Sequence, residues 1–439
     1  VLDERDAREV IASVASGFTE FDVPEHGRHG PDGPLDWPGY GEARARAADR
    51  TGERESVVCG TATIGAHRVV LLAFDFRYLG GSVGTAAGDR IEHAYAHARR
   101  ARTPLVSLIA TGGTRMQEGV PALMQLRRTA RNAVLLRQAG VPHIAVLRDP
   151  TTGGVWASLG ASADVVIGIE GAQVAFGGSR VRPQPDHPAF TAEGQLTAGN
   201  IDEVTTPTAL PDTLDDWLTL LTSATADPAE PPRALGSDTP VSPWETVERA
   251  RATHRAQQYL DDYFDLRRPI SGDRAGGVDP GMLCGIGLRG RHSIAYAAQT
   301  GTATTPAGYR TATRLVELAD RLTIPVLTLV DTPGADNTAE AEAAGLAPAI
   351  ADLFTTIASA RVPVTTLVIG EGGSGGALAL TAPDRTWMTP DSYFAVIAPE
   401  LATAILKRPA RDAPTVADHL RLRPQDLLAA GLIRGVVGP

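Results

Sequence analysis

Apolar residues in this chain come in short continuous runs, each followed by a glycine-rich turn and then by a stretch with helical spacing. Val69-Val-Leu-Leu-Ala-Phe-Asp-Phe76, Pro104-Leu-Val-Ser-Leu-Ile-Ala-Thr111 and Ile144-Ala-Val-Leu147 read as strands in the first half. Pro325-Val-Leu-Thr-Leu-Val-Asp-Thr332 and Val362-Pro-Val-Thr-Thr-Leu-Val-Ile369 do so in the second. Such runs alternating with helical segments predict α/β halves built on crossover units. An amphipathic N-terminal helix and the loop Pro24-Glu-His-Gly-Arg-His-Gly-Pro-Asp-Gly-Pro34 come before the first series, which runs from Ser56 to about Glu203. Helical periodicity returns over Trp244-Glu-Thr-Val-Glu-Arg-Ala-Arg-Ala-Thr-His254, and the second series starts near Cys284.

The two series read as copies. Pro104 and Pro325 open matching strands 221 positions apart, and the same offset carries Val141-Pro142 onto Val362-Pro363. With one extra residue, Gly153-Gly154 then align with Gly375-Gly376. A long-period repeat decides the architecture before any finer reading. The expectation is two related domains, 1–204 and 242–439. Between them, 205–241 is rich in Pro, Thr, Ala and Asp, and Pro231-Pro232 and Pro240 break any helix there, so it reads as a linker.

Candidate chemistry sits in the turns. Gly112-Gly113-Thr-Arg115-Met-Gln-Glu-Gly119 and Gly370-Glu-Gly-Gly-Ser-Gly375-Gly376-Ala377 each follow a strand and run into a helix. So do Leu79-Gly80-Gly81-Ser82-Val-Gly84, Gly153-Gly154 and Thr332-Pro-Gly334-Ala335. Glycine there lets backbone N–H groups face a reacting oxygen, and helix N-termini add further free donors. One such hole in each half suits a reaction with two partners whose negative charge must be held in turn. Arg115 and Arg310 lie beside the turns; each either braces its loop, through carbonyls or a carboxylate such as Glu118, or meets a substrate carboxylate or phosphate.

Composition narrows the field. At 439 residues, 43% hydrophobic and 21% charged, the chain has room for two ordinary cores. Its formal charge of −10 favours neither nucleic acid nor an anionic membrane, so an anionic substrate must find a local basic patch. With no signal pattern and no long apolar run, a cytoplasmic protein is expected. Cys59 and Cys284, one in each half, read as buried thiols, and His93 and His97 as one helix face without a third ligand, so no metal is expected. The chain is read as lacking a Gly-x-Ser-x-Gly elbow, a Cys-His pair and a Walker-type Gly-Lys-Ser/Thr. That leaves chemistry in which backbone N–H groups hold oxyanions and a reactant serves as its own base. Carboxybiotin and an acyl thioester fit: loss of CO2 leaves a ureido anion able to take the thioester's α-proton, while each hole holds one oxyanion.

These segments carry a resemblance. Gly80-Gly81-Ser-Val-Gly84, Gly112–Gly119 and Asp149-Pro-Thr-Thr-Gly-Gly-Val155 resemble the β subunit of bacterial acetyl-CoA carboxylase carboxyltransferase. Trp244–Arg251, Gly272-Asp-Arg-Ala-Gly-Gly-Val-Asp279, Pro306-Ala-Gly-Tyr-Arg310, Asp331-Thr-Pro-Gly-Ala335 and Gly370–Ala377 resemble the α subunit, in the family's order. The likeness covers about residues 37 to 435. It implies a crotonase-like ββα-spiral fold in each half, with acyl-CoA on the N-terminal half and biotin on the C-terminal half. Gly153 and Gly154, and Gly375, Gly376 and Ala377, then become the catalytic donors. Gly80, Gly81, Ser82, Gly112, Gly113 and Arg115, with Gly334, Ala335 and Arg310, become the substrate-binding set.

The implied partners are a biotin carboxyl carrier protein and a biotin carboxylase. The implied assembly is a homodimer or a trimer of dimers, with neither nucleic acid nor membrane. The sequence departs from the family in lacking a four-cysteine zinc ribbon, and in short segments at 299–306 and 336–342. The last two put acetyl-CoA itself in question as the acceptor. The competing readings are a biotin-independent malonyl-thioester decarboxylase or acyltransferase and a non-catalytic scaffold.

Overall fold

The computed structural model describes residues 6–23, 30–184, 186–236 and 239–439. The chain divides into two compact units, Val1–Thr219 and Leu220–Pro439. The helix expected at the N-terminus is Ala7–Val14, closed by a capping box between Asp6 and Glu9. Of the loop expected over 24–34, residues 24–29 lie outside the described ones.

The first unit is built on one sheet of eight strands among the described residues: β1 (Ser16–Glu20), β2 (Val57–Ile64), β3 (His67–Phe74), β4 (Leu105–Thr111), β5 (His143–Thr152), β6 (Val165–Ile169), β7 (Val174–Ala175) and β8 (Glu203–Thr205). They run in the order β1-β2-β3-β4-β5-β6-β8, with β7 pairing on β5. The β1–β2 and β2–β3 pairs are antiparallel and the rest parallel. β4 and β5 are buried along their whole length, which is why their apolar runs are continuous and do not alternate. Helix Thr85–Ala101 covers β2 and β3 and packs on helix Gly119–Gln138.

The second unit repeats the plan with β9 (Leu266–Pro269), β10 (Met282–Arg289), β11 (His292–Gln299), β12 (Val326–Thr332), β13 (Val364–Gly373), β14 (Thr386–Met388), β15 (Tyr393–Ala395) and β16 (Gly435–Val436). Their order is β16-β14-β13-β12-β11-β10-β9, and β15 pairs with β13 as β7 does with β5.

The repeat is closer than the letters suggest. Helices Thr85–Ala101 and Pro306–Leu322 have the same length, lie 221 positions apart, and stop alike, at a left-handed Arg102 (φ 50°) and Thr323 (φ 60°). Strands β5 and β13 keep that offset, as does the register irregularity that brings Thr111 to Thr151 and Thr332 to Gly372. No extra residue is inserted: Gly153 corresponds to Ser374 and Gly154 to Gly375. The one-residue shift read from sequence is therefore corrected.

Residues 205–241 are also more structured than a linker. They contain the helix Leu210–Thr222, in which Trp217 is wholly buried and donates from Nε1 to Glu203 Oε2 at 3.0 Å. The units divide inside this segment, after Thr219.

Candidate functional site

In the first unit, the C-terminal ends of the parallel strands form a corner tied together by Thr111. Its Oγ1 donates to the Gly81 carbonyl at 2.7 Å and accepts from the Gly113 N–H at 3.0 Å. The Gly112 N–H donates to the Gly80 carbonyl at 2.8 Å, so the turns at 79–83 and 112–115 are stitched side by side. Gly113 (φ 107°) and Gly153 (φ 73°) pack back to back; a Cβ on Gly153 would lie 2.9 Å from the Gly113 Cα. The Gly153 N–H is taken by the Phe176 carbonyl at 2.9 Å. The next N–H, that of Gly154, stands in the first turn of a helix and has no intrahelical acceptor.

This corner opens onto a cleft of about 850 Å³. Gly80, Ser82 and Gly112 line it, together with Thr152. Sequence reasoning missed Arg50, Phe76, Arg77, Gln173 and Arg180, which come from segments far apart in the chain. Among the described residues the lining holds three arginines and no carboxylate, an arrangement open to an anionic ligand in a chain of net charge −10. Arg77 is partly neutralised by Asp6 (3.0 Å) and Asp75 (3.6 Å), and Arg50 donates to its carbonyl.

Arg115 does not reach this cleft. Its guanidinium is wholly buried and paired bidentately with Glu55, Nη1 to Oε1 at 2.5 Å and Nη2 to Oε2 at 2.7 Å. It also donates to the Tyr40 hydroxyl and to the Ser82 carbonyl. Burial raises the Glu55 pKa, but Arg115 outweighs it and holds the carboxyl below the usual range. Glu118 caps the helix Thr85–Ala101, accepting from the Thr85 N–H at 2.7 Å and from Tyr40, and its Oε1 lies 3.5 Å from Arg115 Nη1. Arg115 is thus a brace between two cleft loops, and the alternative of a substrate contact through its side chain is corrected. No local signal pointed to Glu55, which lies 60 positions upstream.

The second unit carries the same corner. Thr332 Oγ1 donates to the Thr302 carbonyl at 2.7 Å and accepts from the Gly334 N–H at 3.1 Å. Gly334 has φ 142°, and Ala335 bridges to Thr304. A Cβ on Gly376 would meet the Ala335 nitrogen at 2.3 Å, so that glycine is required by backbone packing. The Gly376 carbonyl accepts from the Tyr309 hydroxyl at 3.2 Å and from Gln299 Nε2 at 3.4 Å, which fixes the peptide leading to Ala377. Gly375, by contrast, faces open space. Arg310 is committed to Asp273 (2.8 Å from Nε) and to the Ala344 carbonyl (3.1 Å), so it too braces a loop.

Ser374, at φ 56° on the strand-to-helix turn, is exposed, and Gly372-Gly-Ser374-Gly-Gly376 does have the Gly-x-Ser-x-Gly spacing read as missing. No hydrogen bond joins it to a histidine among the described residues, so the elbow lacks a base. Cys59 and Cys284 are buried, with thiol pKa values pushed up to about 12 by desolvation. His93 and His97 pack on Phe21. Among the described residues no cluster of three metal-ligating side chains occurs, and no helix is long and apolar enough to cross a membrane.

Residues 37–197 match the family described as carboxyl transferase domain, and residues 238–438 the one described as acetyl co-enzyme A carboxylase carboxyltransferase-like. A Salinispora arenicola protein named "Acetyl-coenzyme A carboxylase carboxyl transferase subunits beta/alpha" is 41% identical over 444 residues, spanning 93% of this chain and 77% of that protein. The Mycobacterium bovis "Probable biotin-dependent acyl-coenzyme A carboxylase beta3 subunit" is 34% identical over 90% of this chain and 82% of its own length. Among solved structures, the transcarboxylase 12S hexamer with methylmalonyl-coenzyme A and methylmalonic acid bound shares the fold. Its TM-score is 0.81 at 21% identity, over 99% of this chain and 87% of that one.

Proposed function

The chain belongs to the carboxyltransferase family of biotin-dependent acyl-CoA carboxylases, with β-like and α-like halves in one polypeptide, and we propose that the N-terminal half holds the acyl-CoA and the C-terminal half the biotin. Its two units are tandem crotonase-like domains, and its activity is transfer of a carboxyl group from biotin to an acyl thioester. The observation that carries the assignment of roles is the repeated corner: a threonine clamp on a glycine turn, beside a strand-to-helix turn with a free second N–H, at Thr111, Gly113 and Gly154 and again at Thr332, Gly334 and Gly375.

In the first unit, the Gly154 N–H holds the thioester oxygen as the α-carbon loses its proton, and the enolate charge stays on a fixed dipole where bulk water would have to reorganise around it. The three cleft arginines receive the CoA phosphates. In the second, the open face of Gly375 leaves room for the ureido ring, and the N–H groups of Gly375 and Ala377 hold its carbonyl oxygen. Biotin, on its carrier protein, supplies the carboxyl group and the base. The carrier and a biotin carboxylase are the partners.

We place the working site between copies, as a dimer or a trimer of dimers. Exposed apolar side chains support this, because they recur 220 positions apart: Phe176 and Val181 on one unit, Val396 and Leu401 on the other. Mixing a Gly154→Val chain with a Gly375→Val chain after dissociation should restore part of the activity; none, with mixed oligomers present, would mean that each chain closes its own site.

The acceptor is identified by a carboxylation assay over a panel of acyl-CoAs, with purified biotin carboxylase and biotinylated carrier. Carboxylated product from at least one acyl-CoA is expected. No product from any would overturn the function.

A further inference from the structure

Behind one wall of the first unit's cleft lies a charge that the carboxyl transfer described above does not use. Gln173 lines the cleft beside the strand end that leads to Gly153 and Gly154. Its backbone is fixed there: its N–H donates to Asp149 Oδ1 at 3.0 Å, and its carbonyl accepts from the Thr151 N–H at 2.8 Å. Its side-chain oxygen accepts from Arg182 Nη2 at 2.7 Å. A guanidinium can only donate, so the amide oxygen faces Arg182 and the NH2 end keeps its two donors for another partner.

Arg182 is 9% exposed, with its guanidinium carbon 4.6 Å from the centroid of the Phe190 ring. Among the described residues its Nε and Nη1 have no hydrogen-bond partner and no carboxylate pairs with it. A buried cation without a counter-charge is unfavourable, and the imbalance is relieved when an anion comes near. A guanidinium bonded to the back of an amide also polarises it, strengthening the NH2 donors at the front. The acceptor that gains most from such a donor is an anionic oxygen.

We propose that Gln173 and Arg182 form a subsite for a carboxylate carried on the acyl group of the CoA thioester, an inference that rests on the acyl-CoA reading of this cleft. In carboxyl transfer only the product side bears that carboxylate, so the subsite discriminates the carboxylated thioester from its uncarboxylated partner. Gln173 touches the ligand; Arg182 acts through it as a positioning residue.

Calorimetric titration of the full chain with malonyl-CoA and with acetyl-CoA tests this. Arg182→Met and Gln173→Leu should each weaken malonyl-CoA binding about tenfold, the usual loss for one hydrogen bond to a charged group, and leave acetyl-CoA binding within about twofold. The double variant should be no worse than either single change, since the two residues act as a unit. Arg182→Met should melt no lower than the parent, because it removes an unpaired buried charge. Equal losses on both ligands, additive losses, a lowered melting temperature with both affinities reduced, or no change would overturn the subsite. Failure of the parent chain to bind either thioester would instead contradict the acyl-CoA reading, and the subsite with it.

Discussion

Gly153 and Ser374 occupy the same corner of their two units, 221 positions apart, each with a left-handed backbone at the turn from strand into helix, φ 73° and φ 56°. Glycine takes that conformation freely, whereas serine pays a conformational penalty. Ser374→Gly should therefore raise the stability of the second unit by about 1 kcal/mol. Gly153→Ser should lower that of the first, because its Cβ would press on the Gly113 Cα at 2.9 Å. Urea midpoints of the two variants check both signs.

Gly375 and Gly376 separate packing from chemistry. Nothing lies within 4 Å of a Cβ on Gly375, whereas one on Gly376 meets the Ala335 nitrogen at 2.3 Å. Gly375→Val should melt like the parent and lose about a hundredfold or more in turnover, the usual effect of spoiling one oxyanion donor. Gly376→Val should lose stability as well. Normal turnover in the folded Gly375→Val protein would remove Gly375 from the biotin site.

Much of this was legible in the sequence. Pro104 and Pro325 announced the repeat, and the glycine turns marked the corners, because each feature is local and carried by residues that few others can replace. The slip of one residue arose from matching glycine to glycine, when backbone conformation pairs Gly153 with a serine. Position beside a glycine turn left Arg115 open to either a bracing or a ligand role, because its partner Glu55 belongs to the segment before β2. The cleft wall of Arg50, Gln173 and Arg180 is assembled by crossovers, and no spacing along the chain encodes it.

The Arg115–Glu55 pair holds the turns at 79–83 and 112–119 in register through the Ser82 carbonyl. Arg115→Met leaves Glu55 buried without its partner, which should cost about 3–5 kcal/mol. In whatever fraction stays folded, the KM for acyl-CoA should rise more than kcat falls, since the loops that line the cleft lose their tether. Steady-state kinetics beside a urea titration would reveal both effects.

Acid should weaken the first unit early through His143. Burial, with Arg137 nearby, pushes its pKa down to about 3 from an ordinary 6.5, and Ser107 and Tyr95 face its ring nitrogens. The unfolded chain therefore binds a proton that the folded one refuses between about pH 6.5 and pH 3, and stability falls across that window by up to about 1.4 kcal/mol per pH unit. His143→Gln removes this titration, so its urea midpoint should decline less between pH 7 and pH 5 than the parent's. Parallel declines would show that His143 is not the group responsible.

The most direct measurement of the central claim is the half-reaction run in reverse, in which the purified chain is given malonyl-CoA with and without biotinylated carrier protein and the carboxyl group is followed. Two holes serving two partners predict that the carboxyl leaves the thioester only when biotin is present and appears on the carrier, and that Gly154→Val and Gly375→Val each abolish the transfer. Release of CO2 from malonyl-CoA at the same rate without biotin, unaffected by Gly375→Val, would contradict it.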